Sequence, residues 1–184
     1  MKNLKNRLLY NLNYIIFWLF YFVFARIFFL VYYYNKTLEL DTTTIFNTFK
    51  YGLQLDIAFT GYICILPFLL ISISVITNSK LILELIKWYT IISIFFINLL
   101  LLIDAGLYQA WGIRVDASLL PYLNTPELMI SSVSTVHLIL GIASWLFISF
   151  LFFLKFYQFH HKFYKIIQKG KFLQFPLFLI ITAA

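Results

Sequence analysis

Apolar and polar positions along this chain come in long blocks rather than in the short alternations of a soluble fold. Nearly unbroken hydrophobic runs cover residues 8–34, 53–76, 85–103 and 136–154, and another begins at 172. About 20 apolar residues are what a helix needs to cross a hydrocarbon core roughly 30 Å thick. The pattern therefore predicts an all-α, polytopic membrane helix bundle. Four spans are complete, whereas residues 172–184 as a helix would reach only about 20 Å. The expectation for that fifth run is a truncated span and a chain cut inside a membrane helix. The first run follows Lys2, Lys5 and Arg7, as the core of a signal peptide would, but it is too long and lacks a small-residue cleavage pattern. It is expected to remain as an uncleaved anchor.

Between the runs lie residues 35–52, a turn at 77–84, a long polar interruption at 104–135, and a basic segment at 155–171. Within the interruption, Thr125, Pro126 and Glu127 form a helix start: a hydroxyl cap, a proline at the first helical position and an acid in the first turn. A short interfacial helix leading into the fourth span is the expected element.

Composition agrees with the pattern. The chain is 62% hydrophobic and 11% charged, against about 25% charged in ordinary soluble domains. A water-soluble globule cannot hide that much apolar surface. The net charge of +7 has three possible meanings, namely nucleic acid, anionic lipid or membrane orientation, and its placement selects the last. Ten of the 14 Lys and Arg residues lie at the N-terminus (Lys2, Lys5, Arg7), in the turn or just past it (Lys80, Lys87) and in the basic segment (Lys155, Lys162, Lys165, Lys169, Lys171). Basic residues are retained on the cytoplasmic side. The expected location is the cytoplasmic (inner) membrane with residues 1–7 inside, and with 35–52 and 104–135 outside. No zinc, helix-turn-helix or RNA-binding pattern accompanies the basic residues, so nucleic acid is not an expected partner. Cys64 is the only cysteine and cannot form an intramolecular disulfide.

Candidate chemistry gathers in two places. Asp104, Tyr108 and Trp111 are spaced to share one face of a helix continuing the third span, and Gly112 permits a break after it. Arg114 and Asp116 follow. These residues form an ordered loop with internal ion pairs, a polar site at the outer mouth where the planar fork of Arg114 meets a lipid headgroup phosphate, or a docking surface for another domain. The second place is YGLQLDIAFTGY, residues 51–62. An acid in an apolar helix needs a partner, and for Asp56 the expected ones are Arg114 and the hydroxyl of Thr60, with Gly52 and Gly61 leaving room for helix approach; the contact with Arg114 either holds the bundle together or also lines a headgroup pocket. Arg26, inside the first span, either snorkels outward or pairs with an acid. Pro67 frees the carbonyl of Ile63 and is expected to kink the second span. His137 is expected to be an interfacial residue rather than a ligand, and His160 and His161 to lie on a basic helix touching anionic lipid. No Gly-rich phosphate loop, GxSxG, HExxH or paired Cys occurs. No catalytic residue and no metal ligand is therefore expected in this stretch of chain.

GLQLDIAFTGY (52–62) together with DAGLYQAWGIRVDASLLPYLNTPE (104–127) resembles the N-terminal membrane region of bacterial proteins of the lipoteichoic acid synthase and sulfatase-like family. The specific part is Asp104, Tyr108, Trp111, Gly112, Arg114 and Asp116, then Tyr122 and Pro126; Gln54 stands where similar segments carry a basic residue. The resemblance implies five membrane helices preceding an extracytoplasmic domain of alkaline-phosphatase type. That domain would use a divalent metal and a Thr or Ser to transfer phosphoglycerol, phosphoethanolamine or a related group, or to hydrolyse sulfate or phosphate esters. The expected partners are membrane lipids and that C-terminal domain. The alternatives are a passive anchor or scaffold and, less in keeping with acids at the ends of the spans, a small transporter.

The charge placement is tested by single-cysteine labelling in intact cells. Lys165→Cys is expected to react only from the cytoplasmic side and Asp116→Cys only from outside; the reverse pattern overturns the orientation.

Overall fold

The computed structural model describes residues 2–77, 79–112, 114–115 and 135–167. These residues are 91% helical, with no strand among them. The elements are α1 (Lys2–Tyr32), the short α2 (Tyr34–Leu38), α3 (Thr42–Ile73), α4 (Ser79–Trp111) and α5 (Thr135–Ile166). Four of them are long and apolar enough to cross a membrane: Leu4–Tyr32, Thr42–Ile73, Lys80–Gln109 and Leu138–Ile166. The chain is an all-α, multi-pass membrane protein. The fifth run, the predicted interfacial helix and its start at Thr125–Glu127 lie outside the described residues, as does the side chain of His137.

Every long helix is longer than the apolar stretch that marks it in the sequence: α1 and α3 begin before theirs, and α4 and α5 extend beyond both ends. With 31 residues, α1 is about 46 Å long, more than the roughly 30 Å core it has to cross. Hydrogen bonding explains this, because a helix that stops inside hydrocarbon leaves backbone groups with no partner. Thus α5 carries on through the basic residues Lys155, Lys162 and Lys165 to Ile166.

The helices form two compact units, residues 2–90 with 155–167 and the described residues within 91–154. In the first, α1 turns a polar and aromatic stripe inward. Arg7, Tyr10, Asn11, Tyr14, Trp18 and Tyr21 are all buried, at spacings of three and four that keep them on one face. Large apolar residues such as Phe20 and Ile16 point outward instead. Lipid is as apolar as Leu, so apolar side chains gain little by turning inward and polar ones choose the packed face.

Three contacts engage polar groups of that face, while the amide of Asn11 has no hydrogen-bond partner among the described residues. Arg7 donates through Nε to the Ser74 hydroxyl (3.2 Å) and through Nη2 to the Ser74 carbonyl (2.8 Å) at the end of α3. Tyr14 and Thr90 share a hydroxyl contact of 2.9 Å. Tyr10 bonds Nδ1 of His160 at 3.0 Å, amid Phe159 and Phe163. His160 is 2% exposed, so the expectation of a lipid-touching residue is corrected for it. Its ring turns toward Tyr10, which bonds one of its two nitrogens, whereas His161 remains exposed and stacks on Tyr157.

A separate contact, between α3 and α4, answers the proline. Pro67 has no N–H to give the carbonyl of Ile63, and the hydroxyl of Tyr89 on α4 takes that place at 3.1 Å. In the second unit Asn98 donates to Ser149 (3.2 Å), and the Trp145 indole donates to the carbonyl of Phe95 (2.8 Å).

Removing the Tyr89 hydroxyl should expose the cost of the proline. Tyr89→Phe is expected to lower stability in detergent by about 0.5–1.5 kcal/mol. The loss should shrink in a Pro67→Ala background, where the backbone N–H returns to Ile63. Equal losses in both backgrounds, measured by unfolding curves, would refute the substitution of one donor by the other.

Candidate functional site

Two Arg–Asp clusters stand out, one in each unit, and each is built by different means. In the second unit Asp104 sits near the end of α4 with Tyr108 one turn on. After Trp111 the helix stops, with the N–H of Gly112 still bonded to the carbonyl of Tyr108 at 3.1 Å. Gly112 then adopts φ +71°, a left-handed conformation that costs glycine little and other residues more. This residue turns the chain back on itself. Arg114 thereby lies over Asp104 and donates Nε at 3.0 Å and Nη2 at 2.5 Å to the same carboxylate oxygen. The N–H of Val115 meets the other oxygen at 2.8 Å. Asp104 is thus buried and hydrogen-bonded on both oxygens, whereas the Arg114 side chain is 63% exposed. Tyr108 is half-buried.

In the first unit Asp56 belongs to a buried row on α3, Gly52, Asp56, Thr60 and Cys64, spaced by four. Its carboxylate faces α1, and Nη2 of Arg26 donates to both oxygens at 2.8 and 2.9 Å. Nη1 of the same guanidinium donates to the carbonyl of Thr48 at 3.0 Å. A Cβ on Gly52 would lie 1.9 Å from Nη1, so the missing side chain is the space that the guanidinium fills.

These arrangements correct the expected pairing of Asp56 with Arg114. Each acid has its own arginine: Arg26 holds Asp56 and Arg114 holds Asp104. The physical reasons differ. Asp104 and Arg114 are ten residues apart, so closing their loop costs little entropy. Arg26, inside a span, has no water to turn to and must take the acid that α3 offers. Of the alternatives for Arg26, pairing is the one realised. Two further corrections concern the same helix. The Thr60 hydroxyl does not donate to Asp56 and has no hydrogen-bond partner. A Cβ on Gly61 would meet nothing within 4 Å, so that glycine makes room for no neighbour among the described residues.

Asp116, the side chain of Trp111, and Tyr122 lie outside the described residues. What the sequence left unresolved was the partner of Arg26; its only signal was a lone cation within an apolar run. Among the described residues, no group of three or more His, Cys, Asp or Glu stands together to hold a metal ion. Comparisons with family models, curated proteins and solved structures return no match for this chain.

The Arg26–Asp56 pair is expected to be far more sensitive to losing one member than both. Arg26→Met leaves a buried carboxylate unpaired and should cost about 3–5 kcal/mol, while the double change with Asp56→Leu should be close to neutral. Gly52→Ala should destabilise by displacing the guanidinium. Unfolding in detergent measures all three, and a double variant no better than Arg26→Met would refute this account.

Proposed function

We propose that this chain is the membrane module of a sulfatase-like phospho-group transferase or hydrolase, acting on lipid or envelope glycans at the outer face of the cytoplasmic membrane, with its N-terminus inside. The observation that carries the reading is the exposed guanidinium of Arg114, anchored by the buried Asp104 at the end of α4. An arginine fork of fixed direction suits the phosphate of a headgroup. The one held here is oriented before any ligand arrives, which lowers the entropic cost of binding. Tyr108, one turn from Asp104, is an amphipathic ring suited to the headgroup level. The resemblance of residues 52–62 and 104–127 supplies the reaction class, and the placement of Lys and Arg supplies the orientation.

In this reading the module binds and orients a lipid-linked donor. The bond-breaking chemistry belongs to an extracytoplasmic domain of alkaline-phosphatase type, where a divalent metal would activate the Thr or Ser nucleophile. No residue described here is assigned to that metal. Asp104 has a positioning role, fixing the direction of Arg114. Asp56 supports the module through Arg26 and is withdrawn from headgroup contact.

A second reading, a passive anchor, draws on the neutrality of both Arg–Asp pairs, which brace helices equally well without a ligand. Binding of short-chain phosphatidylglycerol to the chain in neutral detergent separates the two. Arg114→Ala is expected to weaken it by about tenfold to a hundredfold, the loss of a charge-assisted hydrogen bond worth roughly 1.5–3 kcal/mol. Arg114→Lys should lie between, since it keeps the charge but not the fork. Unchanged affinity in a folded Arg114→Ala protein would favour the anchor.

A further inference from the structure

Two buried polar atoms flank Asp56 without a hydrogen-bond partner: Nε of Arg26 and Oγ1 of Thr60. Thr60 is 3% exposed. It follows Asp56 by one turn on the face that Gly52 and Asp56 share, with successive Cβ positions about 5–6 Å apart. Arg26 reaches that face from α1, its Nη2 already spent on both Asp56 oxygens and its Nη1 on the carbonyl of Thr48. One turn before Arg26 on α1 is Phe22, whose ring lies 6.0 Å from that of Phe59, the neighbour of Thr60. A donor and a hydroxyl are thus left beside one carboxylate, next to an aromatic pair.

We propose that one neutral hydroxyl group occupies this place, accepting from Arg26 Nε–H and exchanging a hydrogen bond with the hydroxyl of Thr60. An anion would stand against the Asp56 carboxylate, and a cation against the guanidinium; the pair cancels in charge and leaves only hydrogen bonding to be satisfied. A hydroxyl both donates and accepts, as the two unpartnered atoms require. Its source is either a bound water or the polyol headgroup of a neutral lipid, and both satisfy the buried groups in the same way. The site is separate from Arg114 and stands or falls independently of the function proposed above.

The test uses the full chain in nanodiscs of phosphatidylcholine with or without monoglucosyl diacylglycerol. Lipid retention is read by native mass spectrometry, and bound water by brief X-ray irradiation, which oxidises side chains beside ordered water. For a headgroup source, wild type and Thr60→Ser retain the glycolipid and Thr60→Val does not. For water, no glycolipid is retained, and Phe22 or Phe59 takes up oxygen in wild type and Thr60→Ser but not in Thr60→Val. Arg26→Lys, which keeps the charge and removes Nε, should reproduce the loss if Thr60→Val fails to fold. Lipid retention and labelling both unchanged in Thr60→Val, or a loss that Thr60→Ser does not restore, would overturn the proposal.

Discussion

Within the thickness of a membrane a polar group has no water to fall back on, and the contacts of this protein follow from that constraint. The hydrophobic effect, which chooses the buried face of a soluble helix, has little to choose between lipid and a neighbouring apolar side chain. Polar groups decide instead. Along α1 the inward face is the one carrying Arg7, Tyr10 and Tyr14, and their partners are a serine at the end of α3 and a histidine and a threonine on other helices. Even the carbonyl that Pro67 leaves unpaired is met by a tyrosine from α4.

The two Arg–Asp clusters show the same constraint met with different exposure of the arginine. Arg26 and Asp56 are 30 residues apart and largely buried, and they need a glycine at Gly52 so that the guanidinium can lie close against α3. This pair joins two helices. Arg114 and Asp104 are local partners, brought together by one left-handed glycine at the end of α4. Here the acid is buried but the arginine is exposed, so an outward-facing cation is held by an inward-facing anion. A brace between helices and an oriented surface fork are chemically the same pair, and exposure separates their uses.

Helix identity was legible in the sequence because span length and composition depend only on the bilayer, not on neighbours. That Asp56, Asp104 and Arg114 would be paired was legible for a related reason, since a charge in an apolar run must be satisfied somewhere. Their pairing was not. Asp56 was expected to meet Arg114, and either acid would have served, because pattern alone does not say which helices touch. His160 was misplaced for the same reason: its basic neighbours suggested a surface, while the group that bonds its Nδ1, Tyr10, lies 150 residues away.

By itself the sequence determined that this chain is helical, crosses a membrane several times and carries its charges in a few places that require partners. Those properties follow from hydropathy, length and the cost of an unpaired charge in hydrocarbon. Only the tertiary structure decided which arginine takes which acid, that the lack of a side chain at Gly52 makes space for Arg26, and that Thr60 is buried with its hydroxyl unengaged. These depend on the rotation of each helix about its axis. Apolar residues on all sides leave that rotation open, and a few specific hydrogen bonds set it.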